Sequence, residues 1–460
     1  MKFSTTLLSI ITILSLVFSP LETRAEGFSL IRDAEIETCI RQMAEPIFKA
    51  AGLPPQNVRI HIIADQNINA FVAEGMNIFV NTGIITYSTD PMVLMGVLAH
   101  ETGHIAGGHL IRSAEEMKGL MTGSILGMLL GMATAVAGHS GSGGVAVMSG
   151  TQQMAERSYL QYSRVKEASA DNAGLKFLAA LHLSPEGMLK LLQYLNSQEN
   201  LFFDKMNPYV MTHPLSKERI ENIQSALSNS PYADNPPPEN LRKCFPRSVA
   251  KLKAFMQEPS ETFRDYPESD KSLPARYARA IAYYKIPELD KAISLLDQLI
   301  KENPDDAYFY ELKGQILFEN GRVKESVAPY AKAEKLAPGA VLIKLGLGTS
   351  EVAVNTPDLN HAAITQLKQA AAIEPDNAMV WHQLGTAYGQ VNQIPQSMLA
   401  LAEEAMLDGK ISDAQRFAEL AHKGLSPGSP DYIKASDIIS SAKLLKKDKK
   451  DRPDKADSGN

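Results

Sequence analysis

The stretch "LAHETGHIAGGHL" at residues 98–110 constrains this chain more than any other. His100 and His104 stand four apart, with Glu101 beside the first. Four residues advance a helix face by about 40°, so the two imidazoles lie one turn apart on the same side. From there both can reach a tetrahedral ion at about 2.0–2.1 Å. Gly103, Gly107 and Gly108 fall in the same stretch, and each costs a helix about 0.8–1.0 kcal/mol against alanine. A helix kept only for core packing has little use for them, so they predict close backbone approach of strands or substrate. The chain must therefore be helical here and must bring a second element against this helix with the remaining ligand.

A metal site of this type needs a third protein ligand. His109 is five positions past His104, which in a straight helix turns it about 140° from the ligand face. It is expected to be a helix-end histidine bonded to local backbone. The segment "SRVKEASADNAG" offers a better ligand, because it sets Glu167 and Asp171 four apart on one face of a second helix. Glu167 can bind the ion while Asp171 accepts the free ring N–H of a ligand histidine. Taken alone, such an acidic pair also suits a solvated helix face. Ala170, Ala173 and Gly174 favour the metal, since small residues let two helices pack closely.

Around this core the periodicity is mixed. Ile31, Ile36, Ile40, Met43 and Ile47 mark a helix over 31–51. "VRIHIIAD" and "INAFVAEGMNIFVNTGII" are β-branched runs, the second broken by Gly75, and they predict an antiparallel strand pair. Asp90 and Pro91 are a helix cap and first-turn proline for the histidine helix. Residues 151–195 and 216–227 are helical in pattern. The Ser-, Pro- and Asn-rich "SNSPYADNPPPEN" at 228–240 is a linker, followed by a short helix, "SVAKLKAFM".

The first 25 residues, "MKFSTTLLSIITILSLVFSPLETRA", have a lysine, a long apolar run, and small residues at Thr23 and Ala25. They predict a signal peptide cut after Ala25, the alternative being an uncleaved anchor. In an exported chain, Cys39 and Cys244 permit one disulfide, and two buried thiols are the competing reading. Residues 119–155 carry no formal charge. Because the histidines before them and Glu167 after them must meet, the segment has to turn back. It is either a mobile hairpin over the site that touches membrane or unfolded substrate, or a buried helical hairpin. Net charge is −6 with no basic domain, which argues against nucleic acid as a partner.

From Pro274 onward the chain repeats with a period of 34 residues in the pattern of tetratricopeptide helices. "WHQLGTAY" (381–388) supplies the signature of a first helix. Tyr310, Gly314, Ser326, Tyr330, Ala333 and Pro338 fall at matching positions, as do Ala280, Tyr283, Ala292, Leu296 and Pro304. Leu347, Gly348, Ala363, Leu367, Ala370 and Pro375 follow, with extra residues around "NTPDLN". Small residues let paired helices approach, and aromatics fill between repeats. The charged end, "KKDKKDRPDKADSGN", is expected to be disordered.

HExxH followed by ExxxD, with "INAF" upstream and "THPLSKERI" (212–220) downstream, resembles the HtpX and CAAX-prenyl-protease family of gluzincins. Joined to a signal peptide and repeats, it is similar to the periplasmic BepA-type branch. The resemblance implies a mostly α protein, in which an α+β zincin-type metalloprotease domain with a small antiparallel sheet precedes an all-α tetratricopeptide-repeat solenoid. The expected divisions are a signal peptide (1–25), a peptidase domain (26–228), a linker with a short helix (229–273), repeats (274–445) and a disordered tail (446–460).

The resemblance also implies one Zn2+ per chain on His100, His104 and Glu167, with Glu101 as catalytic base and Asp171 behind the ligands. Asn69, Ala70 and Phe71 would line the cleft and bind substrate by strand addition. His213, in the His-Pro turn, is either a reversible fourth ligand or a donor to the transition state, against the bland role of a turn histidine. The function implied is periplasmic endopeptidase action in quality control of misfolded or assembling outer-membrane proteins. The repeats would contact the outer-membrane assembly machinery, and a membrane surface is a further expected contact. Two rivals are a non-proteolytic chaperone or scaffold of outer-membrane protein assembly, and an integral membrane protease. The intact Glu101 argues against the first, and the lone interior apolar segment against the second.

Overall fold

The β-branched runs do form strands, but their pairing is richer than an antiparallel sheet. A computed structural model describes residues 23–25, 28–73, 75–109, 164–199, 209–210 and 213–451. Within it, Thr23–Ala25 (β1), Phe28–Ile31 (β2), Arg59–Ile63 (β3), Ala70–Ala73 (β4) and Asn77–Asn81 (β5) form one sheet in the order β1-β2-β3-β5-β4. β2 and β3 are antiparallel, as are β4 and β5, but β3 runs parallel to β5 with Ile60 opposite Ile78. The sheet is therefore mixed. The antiparallel pair lies wholly within the second predicted run, because the chain passes β4 at the outer edge before returning to lay β5 beside β3. A chain cut after Ala25 would keep four of these strands. The end of that run, Thr82–Tyr87, is a short helix (α2) rather than strand.

Ala34–Ala50 (α1) and Pro91–Ala106 (α3) pack against the sheet in one core. Asp90 caps α3 by accepting from the Met92 N–H at 3.0 Å, with Pro91 at the first helical position. Every residue of α3 from Pro91 to Gly103 is buried. It is a central helix, hydrophobic all round apart from the site residues. A helix over 164–180 (α4) crosses it where both are small. A Cβ on Gly103 would lie 2.7 Å from the Ala170 carbonyl oxygen, and one on Gly174 3.2 Å from the His100 nitrogen. The close approach at Gly103 is thus present, but it is made by a helix rather than by the strands or substrate expected.

Glu186–Glu199 (α5), Lys217–Ser228 (α6), Glu239–Met256 (α7), Pro259–Asp265 (α8) and Leu273–Tyr284 (α9) complete this part of the chain. Cys39 on α1 and Cys244 on α7 are disulfide-bonded. One helical turn away, Glu35 is 1% exposed and takes hydrogen bonds from Arg247 and from the Tyr277 hydroxyl, while Lys251 reaches it and Asp33. α1 and α7 are therefore held by a covalent bond and a buried ion cluster together. These two helices belong to one of two compact units, Ser19–Ala282.

The other unit contains Tyr283–Asn460 and is built from helices paired in sequence, beginning with Leu289–Glu302 (α10), Ala307–Glu319 (α11), Val323–Leu336 (α12) and Val341–Val354 (α13). Tyr330 fills between repeats: a Cβ on Gly314 or on Gly346 would lie 2.6 or 2.5 Å from its ring. The aromatic of the first helix makes the same bond twice, Tyr310 Oη to the Pro304 carbonyl at 3.2 Å and Trp381 Nε1 to the Pro375 carbonyl at 2.8 Å. Both repeats thus use one local geometry, as the sequence register requires.

Among the described residues no helix is long and apolar enough to cross a membrane. The predicted signal peptide up to residue 22, the uncharged segment 119–155 and the tail beyond residue 451 lie outside the described residues.

Candidate metal centre

His100, Glu101 and His104 project from α3, and Glu167 and Asp171 from α4. The crossing at Gly103 and Gly174 brings the two sets together. The Nε2 atoms of His100 and His104 are 3.1 Å apart, and each lies 3.3 Å from a Glu167 carboxylate oxygen. A tetrahedral ion with bonds of about 2.0–2.1 Å needs its ligand atoms about 3.3–3.4 Å apart, so this spacing fits zinc. His213 enters from the turn before α6. Its Nδ1 is 3.4 Å from His100 Nε2 and 3.2 Å from Glu167, and the four side chains bring ligand atoms within 4.8 Å of one another.

The surroundings hold these ligands in place. Asp171 accepts from His100 Nδ1 at 2.8 Å, which leaves Nε2 facing the site. Burial works against the ionised form of Asp171, but the hydrogen bonds of His100 and Arg219 win and hold its carboxyl down at about 2. Arg219 is a site residue that spacing does not reveal. It is 4% exposed, and its Nε and Nη2 fork onto Asp171 at 2.6 and 2.9 Å. Its Nη1 lies 3.0 Å from both Glu167 and the Pro214 carbonyl. One guanidinium therefore ties the metal carboxylate, the partner of His100 and the His213 turn together. The signal available in sequence was its position four residues before Ile223, on the buried face of α6.

Glu101 is fully buried, and neither carboxylate oxygen has a hydrogen-bond partner among the described residues. A buried carboxylate in that condition is costly unless something polar meets it. Its position next to the ligand cluster, 3.5 Å from His213 Nε2, suits a group that works on a water molecule there. The donor set, two imidazoles with a carboxylate, is that of zinc hydrolases.

Of Asn69, Ala70 and Phe71, it is Ala70 that comes to the site. β4 is an edge strand, and the Ala70 carbonyl lies 3.2 Å from His213 Nε2. Phe71 instead stacks on Phe79 within the sheet, at 5.1 Å between ring centroids. His109, the helix-end histidine, has its Nδ1 3.0 Å from Nδ1 of His104.

Residues 31–227 match the profile of peptidase family M48. Residues 277–341 match a tetratricopeptide-repeat profile. The chain is 25% identical over 398 residues to the beta-barrel assembly-enhancing protease of Yersinia pestis, covering 84% of this chain and 79% of that one. It is 22% identical over 407 residues to the protein of the same name from Escherichia coli K12, covering 87% and 81%. The mitochondrial metalloendopeptidase OMA1 of Schizosaccharomyces pombe is 27% identical over 188 residues, covering 41% of this chain and 52% of that protein. The matched residues contain the whole ligand cluster, and the alignments with the bacterial relatives run past them.

Proposed function

We propose that this M48 metallopeptidase is a zinc endopeptidase of the bacterial periplasm. It acts in quality control of outer-membrane or misfolded envelope proteins, with residues 26–228 as peptidase and 274–445 as repeats that bind substrate or the outer-membrane assembly machinery. The observation that carries the chemistry is the convergence of His100, His104 and Glu167 beside a buried, unpartnered Glu101. The names of the bacterial relatives support the biological setting.

In this reading His100, His104 and Glu167 hold the zinc. When bound, zinc polarises the scissile carbonyl and makes water a stronger acid. Glu101 takes the proton of the attacking water and returns it to the leaving amine. Asp171 keeps His100 in the tautomer that binds through Nε2, and Arg219 holds the carboxylates of Asp171 and Glu167 in place. Substrate adds as a strand along Asn69–Phe71, where the Ala70 carbonyl accepts a peptide N–H once His213 has left it.

His213 is the gate. With Nδ1 among the ligand atoms and Nε2 on the Ala70 carbonyl, the same imidazole occupies the open ligand position and a substrate hydrogen-bond site. Its turn precedes α6 and can swing without unfolding the scaffold that holds the other ligands. His213→Ala is expected to raise the rate of cleavage of an unstructured peptide, compared at equal zinc occupancy. A fall of about 10²–10³ in kcat, the cost of losing a transition-state donor, would assign His213 the opposite role. Casein cleavage by the purified wild type tests the endopeptidase reading itself, and zinc-loaded protein that left casein intact would favour the chaperone or scaffold alternative.

A further inference from the structure

The helix that carries the metal histidines ends in an unusual way. Gly107 closes it with φ −75°, Gly108 takes φ +63°, and the chain turns so that the ring of His109 folds back on α3. The left-handed φ at Gly108 favours glycine because it has no Cβ. At Gly107 the reason is space, since a Cβ there would lie 2.4 Å from His109 Nε2. The two glycines thus provide the turn and the room for one buried imidazole, 7% exposed, whose Nδ1 is 3.0 Å from Nδ1 of His104.

We propose that His109 is a positioning residue for the metal site, accepting the Nδ1–H of His104 and so fixing that ring to present Nε2. The inference rests on the reading that His104 binds zinc. His104 Nε2 is the nitrogen that faces the cluster, 3.1 Å from His100 Nε2 and 3.3 Å from Glu167. For Nε2 to offer a lone pair, the neutral ring carries its proton on Nδ1, and a buried N–H requires an acceptor. His109 Nδ1 stands at that place, which leaves the His109 proton on Nε2. Each ligand histidine then has its own acceptor, Asp171 for His100 and His109 for His104. His109 is not itself a ligand, because it meets His104 on the edge of the ring opposite the cluster.

The test is zinc affinity, measured by competition with a chromophoric chelator on the purified full chain. Loss of a partner behind a ligand histidine typically weakens metal binding by roughly 10–100-fold, and His109→Ala is expected to fall in that range. His109→Asn, whose Oδ1 can take the place of Nδ1, is expected to restore the wild-type affinity, with an unchanged visible spectrum when cobalt replaces zinc. Gly107→Ala keeps His109 and the helical backbone but pushes the ring aside, so it should weaken zinc as His109→Ala does and serves if that variant fails to fold. His109→Ala binding as tightly as wild type, or Asn binding as weakly as alanine, overturns the proposal, as does a shifted cobalt spectrum in His109→Asn. Wild-type protein that bound no zinc would instead overturn the reading of the whole site.

Discussion

Glu101→Gln is expected to keep its metal and lose casein cleavage by about 10²–10⁴-fold, the usual worth of a positioned acid–base group. The substitution is close to isosteric. It leaves the coordinating atoms of His100, His104 and Glu167 untouched, and Glu101 makes no hydrogen bond among the described residues that the fold depends on. An amide cannot take a proton from water, so the effect should appear in kcat with little change in zinc content. Wild-type cleavage by Glu101→Gln would remove Glu101 from the mechanism. Loss of both metal and activity would make it a structural residue.

The second large effect concerns the disulfide between α1 and α7. Cys39 and Cys244 are 205 residues apart in sequence, and closing a loop of that size contributes about 5 kcal/mol in the chain-entropy treatment. Replacing both by serine is therefore expected to lower the urea midpoint of the unit Ser19–Ala282 substantially. The buried ion cluster of Glu35, Arg247 and Lys251 beside it should keep the variant folded at low temperature. Protein purified without reductant, its thiols blocked at lysis, should migrate faster on non-reducing than on reducing gels, with neither thiol open to labelling under denaturant. Two labelled thiols would contradict the bond.

How much of this was legible in sequence depends on the range over which the signal acts. The convergence of His100, His104, Glu167 and Asp171 was legible because helical spacing fixes which side chains share a face, and Ala170, Ala173 and Gly174 mark a helix that packs closely against another. The repeats were legible because one register recurs. The β3–β5 pairing was not, since which strand inserts beside which is decided by the path of β4, and no local pattern encodes it. Arg219 was hidden for another reason. An arginine in "SKERI" resembles a solvated helix residue, and only its alignment with Ile223 on a buried face distinguishes it. His109 stands where a straight helix would not put it, because Gly108 takes a left-handed φ and turns the chain just before it.

Metal analysis of the purified chain decides whether α3 and α4 together hold one zinc. About one zinc per chain is expected in the wild type and in Glu101→Gln, with occupancy falling sharply in His104→Ala and Glu167→Ala. Full zinc occupancy in Glu167→Ala, or a wild type that binds none, would contradict it.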